Sequence, residues 1–567
     1  MDYDVKITGG TIIDGTGKPG YRGDVGVKGG KIVAVGEAKG SAKQTVDAEG
    51  KYVTPGFVDP HTHYDAQLVW DRMMTISPWH GVTSVVMGNC GFGVAPTKAA
   101  HREILMKTLE KVEGMSLESL RIGLGDNWPF ESFPEYMDAI EKLGTALNVA
   151  VLVGHTPVRL NVMGEASMDR AATPEEIEKM ARIVNEAMDA GAVGFSTSQS
   201  KVHVGFEGRP VPSRLAEWEE LHQLIGAMAK GGRGTVQANP GPRFFQDQFA
   251  ELYREFGRPI TWTALIAGFW GPGKERDVLD KALELRRQGI DIWPQVSSRA
   301  LTFEFNFKEP FSFENLKLFN PISAAHSVEE KIRIYSDPDF RKKFIAEFDE
   351  HTKRVLTQWW NKTRVAYYPP DPSLEEQTLG DVARQRGVHP VDLALDMSIE
   401  TNLDTRFRLG VLNSDVEDVT HLLQAPGNLI ALSDAGAHAS QLCDACYSTD
   451  LLGPWVRERH VMSWEEAVRR LTSEPAGLFG ITDRGKLEVG LAADIVTFDP
   501  QTVAPSRLRR VNDMPGKQER LVADATGIDL VMVNGTTIRK DNKDMVDAAG
   551  ALPGAVLRGG KGAQTAA

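Results

Sequence analysis

The sequence predicts an α/β protein, a (β/α)8 TIM barrel carrying a small composite β-sandwich domain formed by both termini. Three observations carry this prediction: short β-type runs broken by glycine at the start of the chain, the same texture near its end, and apolar strands alternating with amphipathic helices between them.

Residues 1–55 hold "DVKITGGTIIDGTG", "DVGVKGGKIVAVG" and "QTVDAEGKYVTPG", whose β-prone stretches and glycine turns suit an antiparallel sheet. Residues 485–545 repeat the pattern in "GKLEVGLAADIVTFDP" and "IDLVMVNGTTIRKDN". Two half-sheets so far apart in sequence predict one domain assembled from both. The rhythm changes over residues 56–484. Thr173-Pro174-Glu175-Glu176 supplies a capping-box threonine, a proline at the first helical position and a glutamate three residues past the cap. Ile177, Met180, Ala181, Val184 and Met188 then recur at helical spacing, and Gly191 ends the helix before the strand "AVGFSTS". The same order of helix, glycine and strand returns at "ELHQLIGAMAKGGRGTVQAN" and "VLDKALELRRQGIDIWPQVSS". Apolar strands centre near Phe57, Val85, Val151, Val193, Thr235, Ile260, Ile290 and Leu429. Eight such strands close a parallel barrel whose chemistry sits at the C-terminal strand ends. Residues from about 300 to 426 break the rhythm and read as an insertion between the seventh and eighth strands. Its aromatics, among them Trp359, Trp360, Tyr367 and Tyr368, predict a lid favouring a bulky apolar or aromatic substrate group. Residues 546–567 read as a flexible tail.

Composition narrows the function. The chain has 567 residues, 41% hydrophobic and 25% charged, enough for a large core plus a further unit. A formal charge of −13 and the absence of a basic run exclude nucleic acid as the expected partner. The opening "MDYDVKITGG" lacks a basic segment followed by an apolar stretch, and no window has the apolar length that crosses a bilayer. A cytoplasmic homo-oligomer acting on a small-molecule substrate, with no membrane partner, is therefore expected. The three cysteines, Cys90, Cys443 and Cys446, are too few and odd in number for a disulfide framework.

The stretch "VTPGFVDPHTHYD", Val53 to Asp65, places His61 and His63 two apart straight after the first barrel strand. Residues i and i+2 of a strand share one face, so both imidazoles aim into the barrel mouth. Thirteen histidines in this length yield about 0.3 such pairs by chance, so location, not spacing, makes the pair a metal-ligand candidate.

With "GGTIIDGTG", "GVTSVVMGNCGFGVAP", "ALSDAGAH" and "GKLEVGLAADIVTFDP", this stretch resembles the amidohydrolase superfamily, and more narrowly its D-aminoacylase branch, the N-acyl-D-amino-acid deacylases. The resemblance spans the chain outside the insertion. It implies a metal-dependent hydrolase on a (β/α)8 barrel with a composite β domain. His61 and His63 match the first ligand pair of the family, Cys90 in "GNCG" matches the cysteine that this branch uses as a ligand, and Asp434 in "LSDAG" matches the catalytic aspartate. The family's fifth and sixth strands end in histidines, where this chain reads "GTVQANPG" and "ITWTALIAG", with Asn239 and Ala264 at roughly those places. Neither side chain replaces an imidazole on zinc. One Zn2+ per chain is expected, held by His61, His63 and Asp434, with Cys90 as an additional ligand. Lys201, after the fourth strand, is a candidate for the carbamylated bridge of other superfamily branches.

His155 and His203 follow the third and fourth strands and are candidates to steady a substrate carbonyl or oxyanion. Arg159 and Arg299 are candidate forks for a substrate carboxylate. "GFWGPGKE" imitates a phosphate loop, but Glu275 stands where Ser or Thr binds magnesium. Cys443 and Cys446 form a single CxxC with no second pair and read as buried or capping residues. The expected reaction is hydrolysis of a C–N bond outside a peptide chain, by metal-activated water with Asp434 as general base and acid, on an N-acyl-amino acid. A cyclic amidase, imidase or heterocycle deaminase is the alternative within the superfamily, and a non-catalytic binding protein on a decayed barrel is the alternative outside it.

Overall fold

Strand pairing, in a computed structural model of the chain, closes the barrel as the sequence predicts. The structure describes all residues except 127, 272, 309, 311–312, 314–315, 353–358 and 560–567, and side chains outside 347–359. The Trp359 side chain, residue 272 of the phosphate-loop mimic and the last eight residues of the tail thus lie outside the described residues.

The eight barrel strands are β1 (Phe57–Asp59), β2 (Val82–Met87), β3 (Asn148–Gly154), β4 (Gly194–Ser198), β5 (Thr235–Asn239), β6 (Ile260–Trp262), β7 (Ile292–Val296) and β8 (Leu429–Ile430). They pair in parallel in chain order from β1 to β8. A parallel bridge between Thr62 and Ala435 brings the segments after β1 and β8 together. Parallel strands covered on both faces read as apolar runs, and β2 and β3 are buried along their whole length.

The helix over Pro174–Ala190 forms as its cap predicts. Thr173 Oγ1 accepts from Glu176 N at 3.3 Å and Glu176 Oε2 accepts from Thr173 N at 2.8 Å. Gly191, at φ +108°, ends it. Ile177, Met180, Val184 and Met188 are buried against the core.

Strands from both termini share one nine-stranded sheet. Ile495–Phe498 lies antiparallel to Tyr52–Pro55, joining the early strands Tyr3–Ile12, Tyr21–Lys28 and Lys31–Gly36 to the late strands Ile528–Val533 and Thr536–Lys540. Val5, Ile7, Val25, Val27, Ile495 and Leu530 build its core.

The tail differs from expectation as far as it is described. Gly554 N donates to Thr145 O at 2.7 Å, Leu557 N to Val149 O at 2.7 Å and Gly559 N to Gly191 O at 2.8 Å. The small residues of "LPGAV" allow this approach, and Arg558 pairs with Asp138 and Glu141. Backbone pairing, which composition does not reveal, holds this segment.

Ala300–Val416 is a compact unit of its own. Leu301–Phe305, Arg406–Leu412 and Thr363–Tyr367 form a three-stranded sheet in that order. Phe305, Phe307, Phe319, Tyr335, Phe344, Tyr368 and Phe407 form its interior. The aromatic richness that suggested a lid thus serves mainly as the core of this unit.

Candidate metal centre

The segment after β1 continues as an extended chain held on both sides. Thr62 N and Oγ1 donate to Val86 O at 3.1 and 2.9 Å, and His63 N donates to Ala435 O at 2.7 Å. Thr62 is thereby fixed between its neighbours and both flanking imidazoles turn to one side, with ring centroids 5.3 Å apart. Asp434 follows β8 at φ +44°, a left-handed position that aspartate tolerates. Two residues on, a Cβ at Gly436 would lie 2.6 Å from His63 O, so only glycine lets the first and last strands approach this closely.

These elements bring four donors together. His61 Nε2 lies 3.3 Å from Cys90 Sγ and 3.3 Å from Asp434 Oδ1, and His63 Nε2 lies 3.7 Å from the same oxygen. Ligand atoms about 2.1 Å from a tetrahedral zinc ion sit about 3.4 Å apart. The donor set is also chemically suited, two imidazoles, a thiol and a carboxylate, with His61, His63 and Cys90 close enough to share one ion. The residues therefore fit a divalent metal ion.

Supporting contacts aim the ligands. His61 Nδ1 donates to Gln295 Oε1 at 2.6 Å, and Gln295 Nε2 donates in turn to Thr261 Oγ1 at 3.1 Å. That bond places the proton on Nδ1 and presents the Nε2 lone pair to the site. Gln237 Oε1 accepts from Cys90 N at 2.6 Å, and Asn239 Nδ2 donates to Cys90 Sγ at 3.4 Å. The asparagine at the end of β5 thus supports the sulfur.

The charges lock together. Burial opposes ionisation of Asp434, yet His63 and His61 hold its carboxyl below the usual range. Burial also opposes an imidazolium at His61 and His63, but Cys90 and Asp434 raise His61, and Glu113, Asp434 and Cys90 raise His63, above the ordinary histidine value. Against its own burial, the Cys90 thiol is lowered chiefly by His61.

Other expected residues fall differently. His203 lies within electrostatic reach of His63, His438 and Asp434, its Nδ1 bonded to Ser198 Oγ at 2.7 Å; burial first, then the imidazoles of His63 and His438, push it down to about 3. It is therefore neutral at working pH. Lys201 is exposed in a turn, whereas a bridging carbamate needs a place beside the buried histidines. Arg159 is 0% exposed and its guanidinium is spent on Glu220 and the carbonyls of Ser167 and Arg170. His155 joins the same network, with Nδ1 2.8 Å from Thr197 Oγ1 and Nε2 2.8 Å from Glu220 Oε1. Arg299 is paired with Asp444 at 2.6 Å and Asp450 at 3.3 Å. These three are corrections to the sequence reading: each is held by carboxylates of the protein, and Arg159 and His155 are shut away from solvent.

Sequence reasoning missed three residues. Gln295 was visible only as a polar residue inside the apolar run "IWPQV". His438 lay in a quoted motif without a role. Glu113, at the end of the helix Arg102–Glu113, carried no signal, yet its Oε2 lies 3.5 Å from His63 Nε2.

The model of the amidohydrolase family matches residues 44–539. The chain belongs to the amidohydrolase family. Within it, similarity runs to the D-aminoacylase branch. A D-aminoacylase of Alcaligenes xylosoxydans xylosoxydans is 29% identical over 94% of each chain. The N-acyl-D-glutamate deacylase of Bordetella bronchiseptica, solved with zinc and a phosphonate mimic of the tetrahedral intermediate, aligns with TM-score 0.64 and 27% identity over 98% of this chain and 100% of its own. A D-aminoacylase structure that addresses a binuclear metal centre aligns with TM-score 0.65 and 25% identity over the same shares. Family membership makes this chain a hydrolase of C–N bonds other than peptide bonds. No helix among the described residues is long and apolar enough to cross a membrane.

Proposed function

We propose that this amidohydrolase deacylates an N-acyl amino acid, with one zinc ion held by His61, His63 and Asp434 and with Cys90 as a further ligand. The observation that carries the reading is the convergence of His61 Nε2 and His63 Nε2 on Asp434 Oδ1, at 3.3 and 3.7 Å. The choice of substrate rests on the D-aminoacylase and N-acyl-D-glutamate deacylase among the relatives.

When bound, the ion supplies Lewis acidity toward the amide carbonyl and makes water a stronger acid near neutral pH. The protein residues do the rest. Asp434, ionised and 29% exposed at the mouth, accepts the proton as the water oxygen bonds to the carbonyl carbon. It then returns that proton to the amide nitrogen, so the C–N bond breaks and a carboxylic acid and an amine leave. His203, neutral beside this site, is placed to hydrogen-bond the substrate.

A turnover screen over N-acyl D- and L-amino acids, cyclic imides and aminated heterocycles tests the reading. Chelator-sensitive release of an amino acid from an N-acyl substrate is expected; turnover confined to imides or heterocycles would overturn the substrate assignment.

A further inference from the structure

Glu113 is the last residue of the helix Arg102–Glu113, which Gly114 terminates at φ +59°. It is 3% exposed. Two effects oppose a carboxylate there. Burial removes its hydration, and the helix end adds the negative potential of unpaired carbonyls. Among the described residues its ion-pair partners are the imidazoles of His63, at 3.5 Å, and His438, at 4.0 Å. No lysine or arginine among the described residues answers it.

The backbone keeps the carboxylate where it is. His438 N donates to Glu113 O at 2.5 Å, tying the segment after β8 to the helix end, and a Cβ at Gly114 would stand 3.1 Å from His438 Nδ1. Glu113 is therefore held against the same imidazole that faces Asp434. Along the series Cys90 Sγ, His61 Nε2, Asp434 Oδ1, His63 Nε2 and Glu113 Oε2, each atom is 3.3, 3.3, 3.7 and 3.5 Å from the next. The step from His63 to Glu113 is thus close to the roughly 3.4 Å that separates neighbouring ligands of one zinc ion.

We propose that Glu113 is a ligand of the metal ion, delivered to the barrel mouth by a helix end rather than by a barrel strand. The backbone N–H of His438 holds the helix end that carries it. The inference rests on the metal site proposed above and adds a carboxylate to it, which makes the centre more anionic and favours a hard divalent ion.

The test is metal affinity, measured by competition with a chromophoric chelator, together with the absorption spectrum of the cobalt(II)-loaded chain. Glu113→Gln keeps the shape and removes the charge. It should weaken binding by about a hundredfold or more, beyond the loss typical of an outer contact, and should alter the cobalt spectrum. Wild-type affinity and an unchanged spectrum in Glu113→Gln would overturn the assignment and leave the site of His61, His63 and Asp434 standing. A wild-type chain that binds no ion would overturn both. Should the variant fail to fold, the zinc-loaded wild type decides: a Glu113 oxygen within about 2.2 Å of the ion supports the proposal, and one beyond about 3 Å refutes it.

Discussion

At the ends of β3 and β4, His155 has both ring nitrogens 2.8 Å from a partner, Thr197 and Glu220, and Glu220 is also bound by Arg159. At the ends of β1 and β8, His61 Nε2 and His63 Nε2 stand 3.3 and 3.7 Å from one carboxylate oxygen, with a thiol and a second carboxylate beside them. Both clusters are buried groups of histidine and carboxylate at the chemical face of the same barrel. In the first the charges pair within the protein: Glu220 lies between the His155 imidazole and the Arg159 guanidinium, and the group closes on itself. In the second, neighbouring donors stand at ligand-to-ligand spacing, and His61, His63 and Cys90 are close enough to share one ion. The partnering of the charges, not residue type, separates the two clusters.

That contrast breaks most readily through the open cluster. His61→Ala or Asp434→Asn should lower C–N hydrolysis by about a thousandfold or more while the metal-free chain melts as the wild type does. Steady-state kinetics and calorimetry check both halves, and near-native turnover would remove the site. The closed cluster should respond in the opposite way. Glu220→Gln leaves the Arg159 charge buried without its partner, which costs about 3–5 kcal/mol of stability, with metal content unchanged. Chemical denaturation and metal analysis of the same sample measure the pair.

His80 sharpens the closed class. Its Nε2 donates to Ala523 O at 3.0 Å and its Nδ1 shares a bond with Thr449 Oγ1 at 2.7 Å, while burial pushes its pKa from 6.5 to about 4. The unfolded chain then binds the proton more tightly, so stability is fully present above pH 6.5 and falls as pH drops toward 4. The loss is about 3 kcal/mol, and a His80→Gln variant should flatten this part of the pH–stability curve. An unchanged slope would show that His80 titrates normally. The smallest effect concerns Gln295. Gln295→Leu removes the acceptor that orients His61 and should weaken metal affinity by about 10–100-fold, read by chelator competition.

How far the sequence reached can be argued residue by residue. The cap at Thr173 and the apolar stripe from Ile177 to Met188 were legible because local hydrogen bonding and helical period determine them. Eight apolar strands were legible because a covered parallel sheet leaves no polar alternation. His61 and His63 share a strand-like segment, so spacing alone aims them together. Glu113 and Gln295 reach His63 and His61 across 50 and 234 residues, and no local pattern encodes that contact. Arg159 and Arg299 were over-read for the converse reason: composition exposes a guanidinium to view but hides the carboxylates already bound to it, Glu220 in one case and Asp444 and Asp450 in the other. Burial and partnering are global properties, and they decide which charged residue is free to act.

Metal analysis of the dialysed wild-type chain beside a His61→Ala/His63→Ala variant tests the central claim most directly. About one divalent ion per wild-type chain and almost none in the variant is the predicted result. Equal metal in both, or two tightly held ions in the wild type, would contradict it.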